Sequence, residues 1–346
     1  MSEAKKTELG QLGEFGLIRH LTENIKLKHE GTVKGVGDDA AVLDYTNKKT
    51  VVTTDLLLEG IHFDLTYTPL KHLGYKSVVV NVSDVYAMNA TPKQITISLG
   101  LSSKMSVEAL DEFYAGVYAA CDEYDVDLVG GDTTSSLTGL TISVTALGEA
   151  ETDKITYRSG AQPNDLICVS GDLGAAYMGL QLLEREKRVF KDNPDVQPDL
   201  SGYDYLLQRQ LKPEAGKPVI ALLNELGVKP TSMIDVSDGL SSDMLHICTQ
   251  SKMGCRIYED KVPVDPTTAM LAEEMHMNPL VAALNGGEDY ELLFTVSLAD
   301  YEKFKGDHDV KIYIVGHITE ESKGACLVTN AGEEIELKAQ GWNHMK

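Results

Sequence analysis

The chain of 346 residues has few cysteines and no pattern that would pair them or let them bind a structural zinc ion. Its five cysteines form no CxxC motif, and their odd number argues against a disulfide framework and for a reducing compartment. No stretch approaches the ~18 consecutive apolar residues of a membrane span, and the polar start MSEAKKTELG lacks the apolar core of a secretion signal. We therefore expect a cytoplasmic protein with no membrane partner.

Positive charge is also scarce. The sequence has 31 lysines and arginines against 53 aspartates and glutamates, which gives a formal net charge of −22. A chain this acidic repels nucleic acid and anionic lipid, so neither is an expected partner. Part of the acidic excess can keep the surface soluble, and part can hold a metal ion, because Mg²⁺ prefers carboxylate ligands.

Several motifs of nucleotide-binding and hydrolytic enzymes are missing. The sequence has no GxxxxGK[ST] P-loop, no GxGxxG followed by a helix, and neither HRD nor DFG of protein kinases. GxSxG and HExxH are absent too, which disfavours the corresponding hydrolases. If the protein uses ATP, its site must therefore be of a non-Walker type that depends on metal ions.

The apolar pattern predicts an α/β (α+β) fold, because predicted strands alternate with predicted helices. The length suits two domains, and 42% apolar residues suffice for two cores. The clearest helix is predicted over 106–124, with Ser106 as its N-cap. The first series of predicted strands, rich in Val, Ile and Thr, comprises Thr50–Thr54, Ser77–Val82, Ile95–Leu101, Val126–Val129 and Leu140–Leu147.

A charged, glycine-containing stretch at 149–160 separates this series from a second one, so we place domains at 1–150 and 151–346. The second series opens with a predicted strand, Asp165–Ser170, a helix, Gly174–Glu186, and a polar loop, Lys187–Tyr203. The alternation then continues through Pro218–Glu225, Ser237–Ser251, Gly254–Tyr258, Leu292–Val296 and Lys311–His317.

Aspartates recur where the predicted strands end. These residues are Asp38, Asp39, Asp55, Asp84, Asp132, Asp235, Asp238 and Asp243. Loops at the carboxyl ends of strands converge on a crevice in α/β sheets, and carboxylates gathered there need cations such as Mg²⁺ or Ca²⁺. Any one of these aspartates could instead be a turn residue or a helix N-cap. Gly130 and Gly131, just before Asp132, either let backbone N–H groups approach a phosphate or form a tight turn.

An acid-rich site suits phosphoryl transfer to an acceptor that is itself a phosphate. Such an acceptor has a second pKa of ~6, so it is already largely ionised and needs no general base. The obstacle is the approach of two anions, which bound Mg²⁺ removes. We therefore expect no catalytic base, with Asp55, Asp84 and Asp132 as the central metal-holding residues.

The ordered set of motifs resembles the thiamine-monophosphate kinase family within the aminoimidazole ribonucleotide synthetase-like superfamily. The motifs are GVGDDAAVL, TTDLLLEGIHF, LGYKSVVVNVSDVYAMNATP, GGDTT, IDVSDGLSSDMLHI and GGEDYELLFT, with GWNHM at 341–345. The resemblance implies an ATP-dependent kinase that converts thiamine monophosphate to thiamine diphosphate by direct in-line transfer, the last step of thiamine diphosphate biosynthesis. It also implies a homodimer, whose N-terminal domains form a β-barrel-like sheet, and a C-terminal α/β domain with a mixed sheet.

The resemblance further implies roles for individual residues. The metal-holding set for several Mg²⁺ ions would be Asp39, Thr53, Thr54, Asp55, Asp84, Asp132, Asp235 and Asp238. ATP would contact Gly131, Asp132, Arg158 and Ser237, and the thiamine phosphate pocket would include His62, Glu288 and Trp342. Without the resemblance, Trp342 could be a core residue, His62 either core or ligand, and Arg158 a surface charge.

Two other functions fit parts of the pattern. A superfamily enzyme such as selenophosphate synthetase would carry a reactive cysteine in a Gly-rich N-terminal segment, whereas the first cysteine here is Cys121 within a predicted helix. A hydrogenase maturation factor would end in a cysteine, whereas this sequence ends NHMK. A non-catalytic Ca²⁺ or nucleotide sensor is the alternative from another class, and acids retained in every cluster argue against it.

Overall fold

The computed structural model describes residues 20–34, 42–44, 46, 48–304 and 308–340. The predicted metal ligand Asp39 and the predicted pocket residue Trp342 lie outside these residues. The described residues form two compact units, one within the ranges 1–85 and 90–153 and the other within 86–89 and 154–346. None of the described helices combines the length and the hydropathy that crossing a bilayer requires.

The first unit is built on a four-stranded sheet with two long helices. Its elements are β1 (Thr32–Lys34), β2 (Val42–Leu43), β3 (Lys49–Leu58), α1 (Leu70–Ala87), β4 (Thr91–Leu101), α2 (Val107–Tyr124), β5 (Asp127–Ser135) and β6 (Thr141–Ala150). The sheet order is β3-β6-β4-β5, in which only β4 and β5 run parallel, while β1 and β2 pair separately. In the described part of the chain this sheet is open, so the predicted barrel-like closure is not seen in a single copy.

Helix α1 corrects one prediction. The run Ser77–Val82 was predicted as a strand, yet it lies inside α1, and Asp84 is therefore on a helix rather than at the end of a strand. The helix is buried on nearly every side from Leu73 to Ala87, so its sequence shows no polar face with a 3.6-residue period. A short apolar run rich in Val cannot be distinguished from a buried strand by periodicity alone.

Two glycines let the helices α1 and α2 approach each other. A Cβ on Gly74 would lie 2.0 Å from the Phe113 carbonyl oxygen, and one on Gly116 would lie 1.8 Å from that of Lys71. The predicted helix start is confirmed, because Ser106 caps α2 by accepting a hydrogen bond from the Ala109 N–H (3.3 Å). Helix α1 in turn contributes Asn81 and Asp84 to contacts with strand β3, and so begins the candidate site.

The second unit has a seven-stranded mixed sheet in the order β13-β12-β9-β11-β7-β10-β8, as expected for a mixed α/β domain. Its strands are β7 (Leu166–Ser170), β8 (Ser232–Asp235), β9 (Met253–Tyr258), β10 (Leu292–Val296), β11 (Ile312–Glu320), β12 (Ala325–Val328) and β13 (Glu334–Glu336). Its helices are α3 (Ala175–Asp192), α4 (Asp204–Leu211), α5 (Lys217–Glu225), α6 (Leu240–Ser251), α7 (Pro266–Glu274), α8 (Pro279–Asn285) and α9 (Leu298–Tyr301).

The loop prediction for Lys187–Tyr203 is partly wrong, because α3 continues to Asp192 before the exposed loop starts. The added residues, KRVFKD, include the helix formers Lys and Arg, and the solvent exposure of residues 188–192 removes the apolar pattern that would have extended the prediction. The strand Leu292–Val296 has the predicted bounds. Strand β8 pairs antiparallel with β10 so that Asp235 lies opposite Leu292, which brings the IDVSDG and GGEDYELLF motifs side by side.

Candidate functional site

In the first unit, strand β3 and helix α1 bring two of the predicted metal-holding aspartates together. The Thr53 hydroxyl donates to the Asp84 carboxylate at 2.5 Å, and the Asp55 N–H donates to the Asn81 side-chain oxygen at 3.0 Å. Burial, and to a lesser extent the nearby Asp84 charge, together raise the pKa of Asp55 to about 6. Two carboxylates whose negative charges repel each other at short range are suited to bind one cation between them.

Thr54 points to the other face of strand β3. It donates to the Val144 carbonyl oxygen at 3.0 Å, and Thr145 donates to its hydroxyl at 3.1 Å. Because side chains alternate along a strand, Thr53 and Asp55 share one face while Thr54 belongs to the opposite one. The predicted pair of threonine ligands is therefore divided between the two faces.

Asp132 is not brought to Asp55 within the first unit. Asp55 lies in register with Val144, which is in register with Ile97 and then Gly131 on strand β5. Three strand spacings of ~4.8 Å separate β3 from β5, and Asp132, one residue beyond Gly131, faces the opposite side of the sheet. Asp132 is exposed, and its carboxylate accepts a hydrogen bond from the Thr133 N–H at 2.8 Å. The expectation that these aspartates sit at strand ends is wrong for Asp55 and Asp132, which lie within strands.

Gly131 is needed for the spacing between strands. A Cβ at this position would lie 1.9 Å from the Ile97 carbonyl oxygen, whereas a Cβ on Gly130 would meet only a Thr96 methyl group at 3.8 Å. Both glycines lie within β5, so the tight-turn interpretation is wrong. This structural requirement could not be predicted from the sequence, because contacts between parallel strands join distant residues and leave no local signal.

In the second unit, three of the aspartates lie on the loop after β8 or on the two elements that it connects. Asp235 ends the strand, Asp238 follows after two residues, and Asp243 lies in the first turn of α6. The Asp243 carboxylate accepts the Asp238 N–H at 3.2 Å. Burial, with the Asp235 and Asp238 charges, holds the pKa of Asp243 well above its usual range. Asp243 thus shapes the loop that presents Asp238.

The loop before β10 carries Glu288 and is joined to the loop after β8 by backbone hydrogen bonds. The Glu288 N–H donates to the Ser237 carbonyl oxygen at 2.8 Å, and the Tyr290 N–H donates to that of Val236 at 2.9 Å. A Cβ on Gly287 would lie 2.3 Å from the Ser237 oxygen, so only glycine permits this approach. Ser237 and Glu288, predicted for ATP and for substrate, therefore share one pair of loops.

The other predicted contacts are placed as follows. His62 closes the turn after β3, where its Nδ1 accepts the Leu58 N–H at 3.0 Å, so a neutral ring carries its proton on Nε2. Arg158 is exposed, and its carbonyl oxygen accepts a hydrogen bond from the Ser251 hydroxyl at 3.2 Å. The described residues contain no group of three His, Cys, Asp or Glu side chains arranged to hold a metal ion by themselves.

A buried ion network lies next to the loop before β10, which carries Glu288, and it was not predicted from the sequence. Arg209 donates to Glu291 at 2.6 Å and approaches Asp289 to 3.6 Å. Burial raises the pKa of Asp289 to about 7, although the Arg209 charge opposes this rise. The acidic residues of GGEDYELL are the only local feature of the sequence that indicates such a network. No local pattern identifies Arg209 as the residue that pairs with them.

Comparisons with known proteins agree across nearly the whole chain. The family models of AIR synthase related protein match residues 37–150 for its N-terminal domain and 162–329 for its C-terminal domain. Thiamine-monophosphate kinase of Aquifex aeolicus is 35% identical over 336 residues, covering 97% of this chain and 99% of its own. That of Escherichia coli K12 is 34% identical over 339 residues, covering 96% and 98%.

Solved structures give the same result. The crystal structure of thiamine-monophosphate kinase from Stenotrophomonas maltophilia superposes with a TM-score of 0.78 at 31% identity, covering 93% of this chain and 98% of that one. The structure of AaThiL complexed with AMPPCP and TMP has a TM-score of 0.74 at 33% identity, covering 99% and 100%. The hydrogenase maturation protein HypE, at 20% identity and a TM-score of 0.73, shares the fold.

Proposed function

The chain belongs to the thiamine-monophosphate kinase family, and we propose that it transfers the terminal phosphoryl group of ATP to thiamine monophosphate, giving thiamine diphosphate and ADP. The observation that carries this function is identity of about a third over nearly the full length of relatives with that activity. A relative of the same fold binds AMPPCP, an ATP analogue, together with TMP, which supports the same two substrates here.

We propose that Asp55 and Asp84 hold Mg²⁺, and the donor chemistry fits the ion. The pair offers hard oxygen atoms, and the pKa of Asp55 is raised first by burial and second by the Asp84 charge, two costs of the ionised form that a cation would offset. The Thr53 hydroxyl orients the Asp84 carboxylate, and Asn81 fixes the backbone of Asp55. When bound, Mg²⁺ would neutralise charge on the phosphates so that donor and acceptor can approach each other. Asp39, Thr53, Thr54, Asp132, Asp235 and Asp238 remain proposed ligands.

No residue is required as a general base, because the phosphate of thiamine monophosphate arrives largely ionised above its second pKa of ~6. The role left to the protein is to position the two substrates in line and to keep their charge compensated. We propose Gly131, Asp132, Arg158 and Ser237 as ATP contacts. His62, Glu288 and Trp342 are proposed for the thiamine phosphate pocket, where Glu288 supplies negative charge toward the thiazolium.

The direct test is product formation. Incubating the protein with ATP, Mg²⁺ and thiamine monophosphate is expected to yield thiamine diphosphate and ADP in equal amounts, measured by liquid chromatography. Omitting Mg²⁺ with EDTA should stop the reaction. Absence of thiamine diphosphate, while the products of aminoimidazole ribonucleotide synthetase or selenophosphate synthetase form from their substrates, would overturn the proposal. Nucleotide binding without any turnover would instead favour the sensor alternative.

We also propose a homodimer formed through the open face of the four-stranded sheet. This face exposes 61% of Val52 and 52% of Leu56, and Asp132 lies in register with Leu56 across the sheet. Apolar side chains in the middle of a sheet face are suited to cover by a second copy. Analytical ultracentrifugation at micromolar protein concentration should show a dimer. The Leu56→Glu variant should be a monomer, because dimer formation would bury the glutamate charge in the interface. A wild-type monomer at that concentration would contradict this.

A further inference from the structure

The Glu288 loop has a backbone conformation that its own sequence does not favour. Gly287, Glu288 and Tyr290 have φ values of 72°, 58° and 54°, in the left-handed region. Side chains other than glycine rarely adopt this region, so surrounding contacts must hold the loop in place. The hydrogen bonds to the loop after β8 supply one side of that support.

Helix α4 supplies the other side. The Arg209 guanidinium donates to the Asp289 carbonyl oxygen at 3.3 Å and to the Asp172 carbonyl oxygen at 3.1 Å. The Asp289 carboxylate accepts the Gly174 N–H at 2.7 Å at the start of α3. Asp289 is thereby fixed to two helices, through its carbonyl oxygen to α4 and through its carboxylate to the start of α3. The direction of the Glu288 side chain remains to be set by another contact.

Gln210, the next residue of α4, makes that contact. Its side-chain amide donates to the Glu288 carboxylate at 3.0 Å, and only 5% of Gln210 is exposed, whereas Glu288 is half-buried. A buried amide on a helix has few rotamers, so it holds its partner in a narrow range of positions. Helix α4 is itself closely packed, because a Cβ on Gly179 of α3 would lie 2.3 Å from the Leu206 carbonyl oxygen.

We propose that Gln210 is a positioning residue for substrate recognition: its amide aims the Glu288 carboxylate at the cationic ring of thiamine monophosphate. The inference rests on the proposed function and on the proposed role of Glu288. Gln210 acts through Glu288 and does not itself touch the substrate. The hydrogen bond between Gln210 and Glu288 therefore affects the affinity for thiamine monophosphate and leaves ATP binding unchanged.

The test uses Gln210→Met, which keeps the side-chain volume and removes the donor. We expect KM for thiamine monophosphate to rise about tenfold, the effect of one hydrogen bond to a charged group, with KM for ATP and kcat within about twofold. Gln208→Met, at an exposed position of the same helix, is the matched control and should change neither constant. In a Glu288→Gln background the effect of Gln210→Met should shrink to less than about threefold, because the partner charge is gone.

Several outcomes would overturn the inference while the wild type still makes thiamine diphosphate. One is an unchanged KM for thiamine monophosphate in Gln210→Met or in Glu288→Gln. Another is an equal effect of Gln210→Met in both backgrounds, which would indicate a purely structural role. If Gln210→Met lowers the melting temperature by more than about 5 °C, Gln210→Asn, whose shorter amide cannot keep the contact, replaces it in the same cycle with the same expectations. A wild type without activity on thiamine monophosphate would overturn the proposed function instead.

Discussion

Replacing Asp55 by asparagine is expected to lower the rate of thiamine diphosphate formation about 1000-fold or more, because it removes a charged ligand that contributes several kcal/mol to charge compensation. The fold should survive, since asparagine has the same size and the Asp55 N–H still donates to Asn81. The measurements are kcat at saturating substrates and thermal unfolding. Asp195→Asn, an exposed aspartate of the loop after α3, is the control and should retain wild-type activity.

The same variant should be more stable than the wild type when no metal is bound. Burial and Asp84 raise the pKa of Asp55 from 3.8 to about 6, so the carboxylate form is disfavoured in the folded protein. Below pH 3.8 this site does not penalise folding, and the penalty grows as pH rises through about 6. At pH 8 in EDTA it amounts to about 3 kcal/mol, which asparagine relieves. Added Mg²⁺ should stabilise the wild type more than the variant.

Three results would contradict this account of Asp55. Full activity of Asp55→Asn would remove the residue from the metal site. A stability gap between wild type and variant in EDTA that stays constant from pH 4 to pH 8 would show that the Asp55 carboxylate is not strained in the folded chain. Activity lost together with the folded structure would leave Asp55 a structural residue.

Gly131→Ala is expected to destabilise the first unit by about 3 kcal/mol or more, because its Cβ would overlap the Ile97 carbonyl oxygen, which the parallel strand pairing holds in place. For a unit of this size the melting temperature should fall by about 10 °C. Gly130→Ala is the matched control, since its Cβ has ordinary contacts only, and it should unfold at nearly the wild-type temperature.

This pair of variants separates two functions of the same motif. If Gly131 serves only to admit a phosphate, Gly131→Ala would fold normally and raise KM for ATP alone. If the strand spacing requires it, unfolding temperature and activity should fall together. A stable Gly131→Ala protein would show that β4 and β5 can separate at this point, which would contradict the packing described above.

The sequence allowed correct predictions where local pattern and tertiary role coincide. Helix α2 has an N-cap, an apolar stripe and a charged face, so its start at Ser106 was predictable. Strand β10 is a short apolar run between polar residues, and its bounds were predicted without error. Helix α1 is buried on nearly all sides, so its polar period is lost, and part of it was predicted as a strand.

The candidate site shows the same division. The aspartate motifs, the missing P-loop and the family resemblance were all read from residues close together in the chain. The partners Asn81, Arg209 and Gln210 were not predicted as site residues, because each reaches its partner across 26 to 82 residues of sequence. Burial, which raises the pKa of Asp55 and Asp289, is likewise a property of the folded chain.

By itself, the sequence determined the chemical class of this protein: an acid-rich kinase of the thiamine-monophosphate kinase family. Residue types identify the ligands of hard cations and so indicate metal-dependent phosphoryl transfer, whereas the family is identified by the ordered set of motifs that this sequence shares with it. Only the tertiary structure decided which carboxylates meet. It joined Asp55 with Asp84 through a buried helix, set Asp132 on the opposite face of the sheet, and held Glu288 by contacts from distant segments. Strand register and helix packing determine such contacts, and neither can be predicted from a local stretch of the sequence.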